Sequence, residues 1–154
     1  MRIGYKGDYA IKSLIFLAIK YLLVPNSYWQ IAEIAKEQDI PAKFLEQILL
    51  MLRKAGYVKS QRGMKGGFAL ALEPKKINLG QIIRLMEGPL APIGCVVEES
   101  DSVCDYQNRC VLRPLWQKVS ESISQIVDTV DFQSLAEKQL ALERAQQQSL
   151  MYYI

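Results

Sequence analysis

The chain has 154 residues, half of them hydrophobic, and carries 19 Lys and Arg against 16 Asp and Glu. This length suits one domain, or a small domain with an appended helical element, and the composition excludes a disordered chain. Residues 1–76 carry 13 Lys and Arg and 6 Asp and Glu, whereas residues 77–154 carry 6 and 10. A basic half joined to an acidic half indicates that the first half contacts a polyanion.

The first predicted element is a helix in the apolar stretch from Tyr9 to Val24, which ends at Pro25. An apolar stretch so near the N-terminus is also typical of a targeting signal or a membrane span. Lys12 and Lys20 interrupt it, however, and no small-residue cleavage site follows. We therefore predict a buried helix in a cytoplasmic protein that does not associate with membranes.

Two more helices are predicted, joined by a very short connection. Ser27 and Gln30 form a capping-box pattern that begins the second helix, which continues to about Lys36. Pro41 is suited to the first turn of the third helix, and Gly56 to its C-terminal end. The inner face of the third helix is predicted to consist of Phe44, Leu45, Ile48, Leu49 and Leu52. Such a pair is a helix-turn-helix.

A β-hairpin follows, with strands predicted over residues 57–61 and 68–72. Phe68, Leu70 and Leu72 are expected on one face of the second strand. The connecting loop, residues 62–67, is basic and rich in glycine. A helix-turn-helix followed by a basic hairpin predicts a winged-helix DNA-binding domain over residues 1–76.

The second half is predicted to contain a connecting segment over residues 77–110 and a helical region over residues 111–154. Asn78 and Gln81 form a capping pair for a helix that ends near Glu87. No clear periodicity follows until Cys110, and all three cysteines of the chain lie in this irregular stretch.

The helical region begins with a regular apolar seam at spacings of 4, 3, 4, 3 and 4, formed by Leu112, Trp116, Val119, Ile123, Ile126 and Val130. This seam is typical of a helix that pairs with a partner helix, which predicts a homodimer. The alternative is packing against the chain's own last helix, predicted from Phe132 to about Gln147, with a frayed tail at residues 146–148. The expected fold is mainly α with a small β-hairpin: a winged helix-turn-helix plus a long C-terminal dimerisation helix.

The third helix offers candidate DNA contacts at Lys43, Glu46 and Gln47, near its N-terminal end. Gln can read adenine and Glu can accept from cytosine in the major groove, whereas Lys43 is expected to contact phosphate. The alternative for each residue is an ordinary solvated helix face. Their shared position on the predicted recognition helix favours the DNA-reading role.

The predicted wing offers Arg62, Lys65 and Gly66 as further DNA contacts. Glycines let the loop turn sharply and let its backbone approach DNA closely. An arginine at such a tip suits a narrow minor groove, where the negative potential is enhanced. A phosphate-binding loop is disfavoured, because no Gly-Lys-Ser or Gly-Lys-Thr sequence is present here.

The cysteines, Cys95, Cys104 and Cys110, have the spacing C-x8-C-x5-C. Zinc ribbons contain close C-x2-C pairs, which are absent from the sequence, and iron–sulfur clusters are held by thiolates. Metal binding or redox chemistry is therefore the favoured interpretation, with an iron–sulfur cluster as one candidate. A reversible thiol and disulfide switch and a structural zinc site remain the alternatives.

The sequence resembles the Rrf-two family of winged-helix transcription regulators over about residues 1–140. That family includes iron–sulfur (IscR-like) and nitric-oxide-sensitive (NsrR-like) regulators. The resemblance rests on several motifs in combination: Met1-Arg2-Ile3, Lys6-Gly7-Asp8-Tyr9-Ala10, Phe44-Leu45-Glu46-Gln47-Ile48-Leu49, Leu52-Arg53-Lys54-Ala55-Gly56 and Arg62-Gly63-Met64-Lys65-Gly66-Gly67-Phe68. It implies a homodimeric repressor that binds palindromic, double-stranded promoter DNA, with recognition helix and wing as placed above.

The resemblance also implies that the three cysteines hold an iron–sulfur cluster, either 2Fe–2S or 4Fe–4S. Members of the family commonly have a histidine three residues after the last cysteine, but this chain has Arg113 there and no histidine anywhere. One branch instead uses an acidic residue near the start of the first helix of the partner subunit, and Asp8 occupies that position. We therefore predict that Asp8 of one subunit completes the site of the other.

Two alternatives to this role of Asp8 remain open. An Asp before Tyr9 is also a natural N-cap, which contributes about 1 kcal/mol to a helix. Carboxylates between the first and last cysteines, in residues 95–110 (the cysteine segment), are weaker candidates for the fourth ligand. They are Glu98, Glu99, Asp101 and Asp105.

No enzyme is expected, because the chain lacks histidine and contains no convincing nucleophile–base pair or cofactor fingerprint. The expected function is a DNA-binding transcription regulator whose promoter binding is modulated by the cluster. The alternatives are a thiol-sensing or cluster-free regulator of the same family, and a winged-helix adaptor that binds protein instead of DNA.

Overall fold

The structure is a computed structural model that describes residues 2–97 and 104–151. Within these residues it contains six α-helices and one two-stranded antiparallel hairpin. The elements, in chain order, are α1 (Tyr5–Leu23), α2 (Ile31–Gln38), α3 (Ala42–Lys54), β1 (Val58–Gln61), β2 (Gly67–Leu70), α4 (Leu79–Glu87), α5 (Arg113–Val127) and α6 (Phe132–Met151). Short 3-10 turns occupy Pro74–Lys76, Gly94–Val96 and Gln107–Arg109. Among the described residues, no helix is both long and apolar enough to cross a bilayer.

Helix α1 lies at the centre of the fold and packs against α2, α3, α4, β2 and α6. Its buried face includes Leu14, Leu17 and Ala18. This face meets Leu49 of α3 and Phe132 of α6, among other residues of one continuous core. The predicted amphipathic first helix is therefore present, and it begins four residues earlier than the apolar stretch indicated.

The helix-turn-helix pair is present, but the predicted cap of α2 was wrong. The cap residue of α2 is Gln30 and not Ser27. The backbone N–H of Gln30 donates to the Glu33 carboxylate at 2.8 Å. The Ser27 hydroxyl instead donates to the Val24 carbonyl oxygen and accepts from Trp29 Nε1. Ser27 therefore fixes the turn after α1. Because a capping box depends on a spacing of three residues, Ser27–Gln30 and Gln30–Glu33 both fit the pattern.

The inner face of α3 is largely as predicted, with Leu45, Ile48, Leu49 and Leu52 buried. Phe44 was predicted there as well, but it is 59% exposed. One residue before Leu45, it is turned by about 100° around the helix and lies at the edge of the buried face. Gly56 follows the helix with φ of +85°, which agrees with its predicted role as the C-terminal stop.

The hairpin pairs Val58 with Leu70 and Gln61 with Gly67, so β2 ends two residues earlier than predicted. Leu72 lies beyond the strand and is exposed, whereas Phe68 and Leu70 are buried as expected. Trp29 adds a bridge to the outer side of β2, because its N–H and carbonyl oxygen both bond to the backbone of Phe68, at 2.9 and 2.8 Å. This bridge attaches the hairpin to the helical core.

The start of α4 agrees with the prediction. The Asn78 side chain accepts from the Gln81 N–H at 2.8 Å, and the Gln81 side chain accepts from the Asn78 N–H at 3.2 Å. Helix α6 then packs on α1 with Phe132 and Ala136 fully buried. It continues to Met151, so the predicted fraying at residues 146–148 was wrong. Through α6, the C-terminal region shares the core of the winged-helix half.

The structure describes every residue of helix α5, and none of these residues is buried within the chain. The predicted seam lies partly in the open: Leu112 and Ile126 are each at least half exposed, and the other four residues are only partly buried. Because α6 packs on α1 and the 74–76 turn, it does not cover this seam as the alternative interpretation required. An uncovered apolar seam on a long helix is typical of an interface with another chain.

Candidate DNA-reading surface and cysteine segment

The three candidate readers of the recognition helix share one exposed face. Lys43, Glu46 and Gln47 are all exposed on α3 at spacings of three and one residues. The opposite face, with Leu45 and Leu49, anchors the helix in the core. The helix therefore presents donors and acceptors on a rigid support, which is the arrangement required for contact with base edges.

The wing projects its basic side chains into solvent. Arg62 and Lys65 are exposed, and Met64 at the tip is 96% exposed. The Gln30 side-chain amide donates to the Met64 carbonyl oxygen at 3.2 Å, which links the wing to the start of α2. The wing and the helix-turn-helix are thus held in one relative position.

Gly66 was predicted to contact DNA, but it is buried within the wing. Its N–H donates to the Gly63 carbonyl oxygen at 2.9 Å, and a Cβ at residue 66 would overlap the Gln61 carbonyl oxygen. The structure therefore gives Gly66 a role in shaping the loop that presents Arg62 and Lys65.

Two further contacts that the sequence analysis did not identify connect basic residues to this surface. Arg53 of α3 donates to the Ser60 hydroxyl of β1 at 3.0 Å. The Lys59 ammonium lies over the Tyr28 ring, 5.7 Å from its centroid. Both join the recognition helix or the segment before α2 to the hairpin. Neither contact has a signal in the local sequence pattern, because its two partners belong to different parts of the fold.

A cleft of about 540 Å3 separates the start of α1 from the recognition helix. Its lining is mainly apolar and aromatic, and consists of Tyr5, Lys6, Tyr9, Phe44, Gln47, Ile48 and Met51. The exposed position of Phe44 is explained by this cleft, since the ring forms part of its wall. The first turns of α1 therefore lie beside the reading face of α3.

Asp8 lies in the first turn of α1 and is not its N-cap, which is Gly4. The N-cap alternative for Asp8 was therefore wrong. Its carboxylate, about half exposed, pairs with the Lys12 ammonium at 2.8 Å. This hydrogen bond raises the pKa of Lys12 above its ordinary value. A half-exposed carboxylate in a surface ion pair can exchange its lysine partner for another ligand at little cost.

The three cysteines are half-buried and carry free thiols. Cys95 lies in the 94–96 turn, which packs against α5, and Cys110 follows the 107–109 turn. Among the described residues, which include all three cysteines, no three potential ligands lie close enough to hold a metal ion. Asp105 is exposed, and the other weaker ligand candidates, Glu98, Glu99 and Asp101, lie outside the described residues.

The segment before Cys95 and helix α5 form the two sides of a cavity of about 630 Å3. The Ser120 hydroxyl of α5 donates to the Leu90 carbonyl oxygen at 2.8 Å, which holds the segment against the helix. A change in the cysteine segment would therefore act directly on the helix with the exposed seam.

Helix α5 is attached to α4 by an ion pair. Arg84 donates to both carboxylate oxygens of Asp128, at 2.6 and 2.8 Å, and to the Ser124 hydroxyl at 3.1 Å. These hydrogen bonds lower the pKa of Asp128 below its ordinary value. The pair is therefore fully formed above the ordinary pKa of aspartate, and it is lost as the pH falls through the lowered pKa. A Cβ at Gly80 would overlap the Asp128 carboxylate, so a larger residue there would displace the Asp128 side chain from its present position.

The family model Rrf2, described as an iron-dependent transcriptional regulator, matches residues 3–138. The HTH-type transcriptional regulator CymR of Bacillus subtilis (strain 168) is 32% identical over 154 residues, which covers 100% of both chains. The HTH-type transcriptional regulator IscR of Yersinia pseudotuberculosis is 32% identical over 149 residues, covering 97% of this chain and 87% of IscR.

Solved structures of proteins with the same names, CymR and IscR, are also similar to this chain. CymR of B. subtilis, described as the global cysteine regulator, superposes with a TM-score of 0.75 at 31% identity, covering 90% of this chain and 98% of CymR. T. potens IscR superposes with a TM-score of 0.71 at 31% identity, covering 92% and 90%. The chain is therefore a winged-helix, DNA-binding transcription regulator of the Rrf2, or Rrf-two, family.

Proposed function

We propose that the chain is a homodimeric repressor that binds palindromic promoter DNA and whose binding is modulated by an iron–sulfur cluster. The observation that carries this proposal is the combination of an exposed basic reading surface with the uncovered seam of α5. Two copies joined along α5 would hold two recognition helices at a fixed separation, and a palindrome matches that two-fold symmetry.

In this dimer, each subunit reads DNA with two elements. Glu46 and Gln47 are assigned to base edges in the major groove, and Lys43 to phosphate. Arg62 and Lys65 of the wing are assigned to the backbone or the minor groove. The support for these roles is that all five side chains are exposed on elements rigidly attached to one core.

Replacing Arg62 by Ala should weaken binding to promoter DNA about tenfold and reduce the slope of log affinity against log salt by about 1. Arg62 is exposed on the wing and belongs to no core contact, so the dimer and the melting temperature should be unchanged. Fluorescence anisotropy at several salt concentrations measures this. Lys138→Ala, which removes a charge from the exposed face of α6, is the matched control. Equal affinities and salt slopes for the Arg62→Ala variant and the wild type would show that Arg62 does not contact the DNA.

The three cysteines fit an iron–sulfur cluster by the chemistry of their donor atoms. Cys95, Cys104 and Cys110 supply three free thiols within one short segment, and thiolates are the ligands of such clusters. In the single chain they are not gathered into one group, so the segment must rearrange for all three to bind together. A bound cluster, 2Fe–2S or 4Fe–4S, supplies chemistry that is sensitive to redox state and to its ligands.

The fourth ligand is assigned to Asp8 of the partner subunit. Its carboxylate is half exposed and occupied by Lys12 alone among the described side chains. Because it lies at the start of α1, beside the cleft next to the recognition helix, this ligand would connect the cysteine segment of one subunit to the reading face of the other. An oxygen ligand is harder than a thiolate and makes such a site more labile, which suits a sensor.

A cluster-free thiol sensor is the second candidate, and one observation favours it. The three thiols are free and only partly buried in the described structure, as expected of cysteines that are accessible to oxidation. The overall similarity to CymR, described as a global cysteine regulator, agrees with this alternative. Anaerobic purification distinguishes the two: a brown protein with stoichiometric iron and sulfide supports the cluster, and a colourless protein contradicts it.

Replacing Asp8 by Ala should leave a folded dimer whose cluster decays several-fold faster in air, because one ligand is lost while the exposed pair with Lys12 contributes little stability. The decay of visible absorption after exposure to air measures the lifetime. Asp105→Ala removes an exposed carboxylate that is a weaker ligand candidate, and its cluster should decay at the wild-type rate if Asp8 is the ligand. A cluster lifetime equal to that of the wild type would remove Asp8 as the ligand.

A further inference from the structure

Helix α1 takes its N-terminal cap from a distant part of the chain. Its own cap residue, Gly4, has no side chain to satisfy the free N–H groups of the first turn. Glu87, the last residue of α4, supplies this function: its Oε1 accepts from the Gly4 N–H at 3.0 Å and from the Gly7 N–H at 2.8 Å. A carboxylate at a helix N-terminus is also favoured by the helix dipole.

The glycine inside α1 has its explanation in this contact. Gly7 is buried, and a Cβ at this position would overlap Glu87 Oε1. Glycine is otherwise unfavourable within a helix, since it loses more conformational freedom than alanine on folding. Gly7 therefore stands where α1 must let the Glu87 carboxylate approach its backbone.

The segment that Glu87 fixes is the support of the recognition helix. The first turns of α1 contribute Tyr5, Lys6 and Tyr9 to the cleft whose other wall is α3, including Gln47. A shift of the start of α1 would alter this wall and with it the surroundings of the reading face. A residue that holds the start of α1 in place can therefore affect DNA recognition by α3 without contacting DNA itself.

Glu87 also directly precedes the stretch of chain that leads from α4 to the cysteine segment. Gly88 follows it with φ of +87°, and the chain then turns away toward Leu90 and Cys95. One carboxylate thus joins three parts of the molecule: the end of α4, the start of α1 and the first residues before the cysteines.

We infer that Glu87 is a positioning residue for DNA reading, which holds the start of α1 against the recognition helix and connects that support to the cysteine segment. The inference rests on the proposed DNA-binding function. Removing the carboxylate should therefore reduce discrimination between a specific and a non-specific duplex, while the general attraction to DNA, set by exposed charges, stays the same.

The test compares Glu87→Ala, Glu87→Gln, Gly7→Ala and the double variant with the wild-type dimer. The specific probe is a duplex enriched from a random pool by the wild-type protein, and the non-specific probe is a scrambled duplex. Glu73→Ala is the control of equal charge, because Glu73 is exposed and its contact is a surface pair with Lys76. Hydrogen exchange at the amides of residues 4–9 is measured in parallel without DNA.

Glu87→Ala should weaken specific binding about tenfold, the loss of roughly one charge-assisted hydrogen bond. Glu87→Gln keeps an Oε1 acceptor and should recover most of the affinity. Gly7→Ala should be harmful alone but nearly neutral in the Glu87→Ala background, since the overlap with Oε1 is gone. Non-specific binding and the Glu73→Ala control should match the wild type.

Wild-type specific affinity in Glu87→Ala, or an equal loss on both duplexes, would overturn the inference. A wild-type protein that enriches no duplex would contradict the proposed function instead. The two failures are separable, because the exchange experiment needs no DNA: amide exchange rates at residues 4–9 that Glu87→Ala leaves unchanged overturn the positioning role by themselves.

Discussion

Replacing Ile123 by Glu is expected to convert the dimer to monomers and to lower its affinity for a palindromic duplex by about 100-fold or more. Ile123 lies in the middle of the α5 seam and is only half-buried within the chain. In the proposed dimer a carboxylate there would lie in an apolar interface, where an unpaired charge is strongly unfavourable. Each monomer then binds one half-site without the contribution of the second.

Sedimentation velocity at micromolar concentration measures the first effect, and anisotropy with full and half palindromes measures the second. Half-site affinity should stay near that of the wild type, because the reading surface is untouched. The matched control is Ser122→Glu, which places the same charge one residue away on the exposed side of α5. A dimeric Ile123→Glu variant would show that the subunits pair through another surface.

Replacing Gly67 by Ala should detach the wing from the helical core. Gly67 has φ of +149°, and its Cβ would overlap the Trp29 carbonyl oxygen at the bridge to β2. Backbone strain and collision together should cost about 2 kcal/mol of unfolding free energy or more. DNA affinity should fall about tenfold, because the wing contacts are no longer held in place. Thermal denaturation and anisotropy measure the two effects.

The control for this variant is Gly63→Ala in the same loop. Gly63 also has a positive φ, of +107°, but a Cβ there meets nothing within 4 Å. It therefore isolates backbone strain from the collision with Trp29. If both variants lose the same stability and affinity, the bridge to Trp29 has no role in holding the wing.

The regular elements could be predicted because their signals are local. The amphipathic spacing of α3 and the Asn78–Gln81 pair both act within one helical turn, and the structure confirms the helices they indicate. Errors arose where two registers satisfy the same rule. Ser27 and Gln30 each have a partner three residues later, and the choice depends on Trp29, which draws Ser27 into another contact.

The reading surface was accessible to sequence reasoning for the same reason, since exposure of Gln47 follows from burial of Leu45 and Leu49 on the same helix. Contacts between distant residues were not. The partners of Glu87 lie 80 and 83 residues away, and the bridge from Trp29 to Phe68 joins two backbones without any side-chain signal. The exposure of Phe44 could not be predicted for the same reason. The cleft that Phe44 lines lies between α3 and the start of α1, two elements that are distant in the sequence.

Helix α5 owes little of its order to its own subunit. It buries no residue within the chain, and its polar links to the rest include the Arg84–Asp128 pair and the Ser120 contact, both partly exposed to water. In the proposed dimer, association therefore stabilises this helix and the cysteine segment beside it, and stability becomes dependent on protein concentration. The response of the protein would then depend on its abundance, since at low concentration a larger fraction of the subunits is monomeric, with α5 and the cysteine segment less ordered.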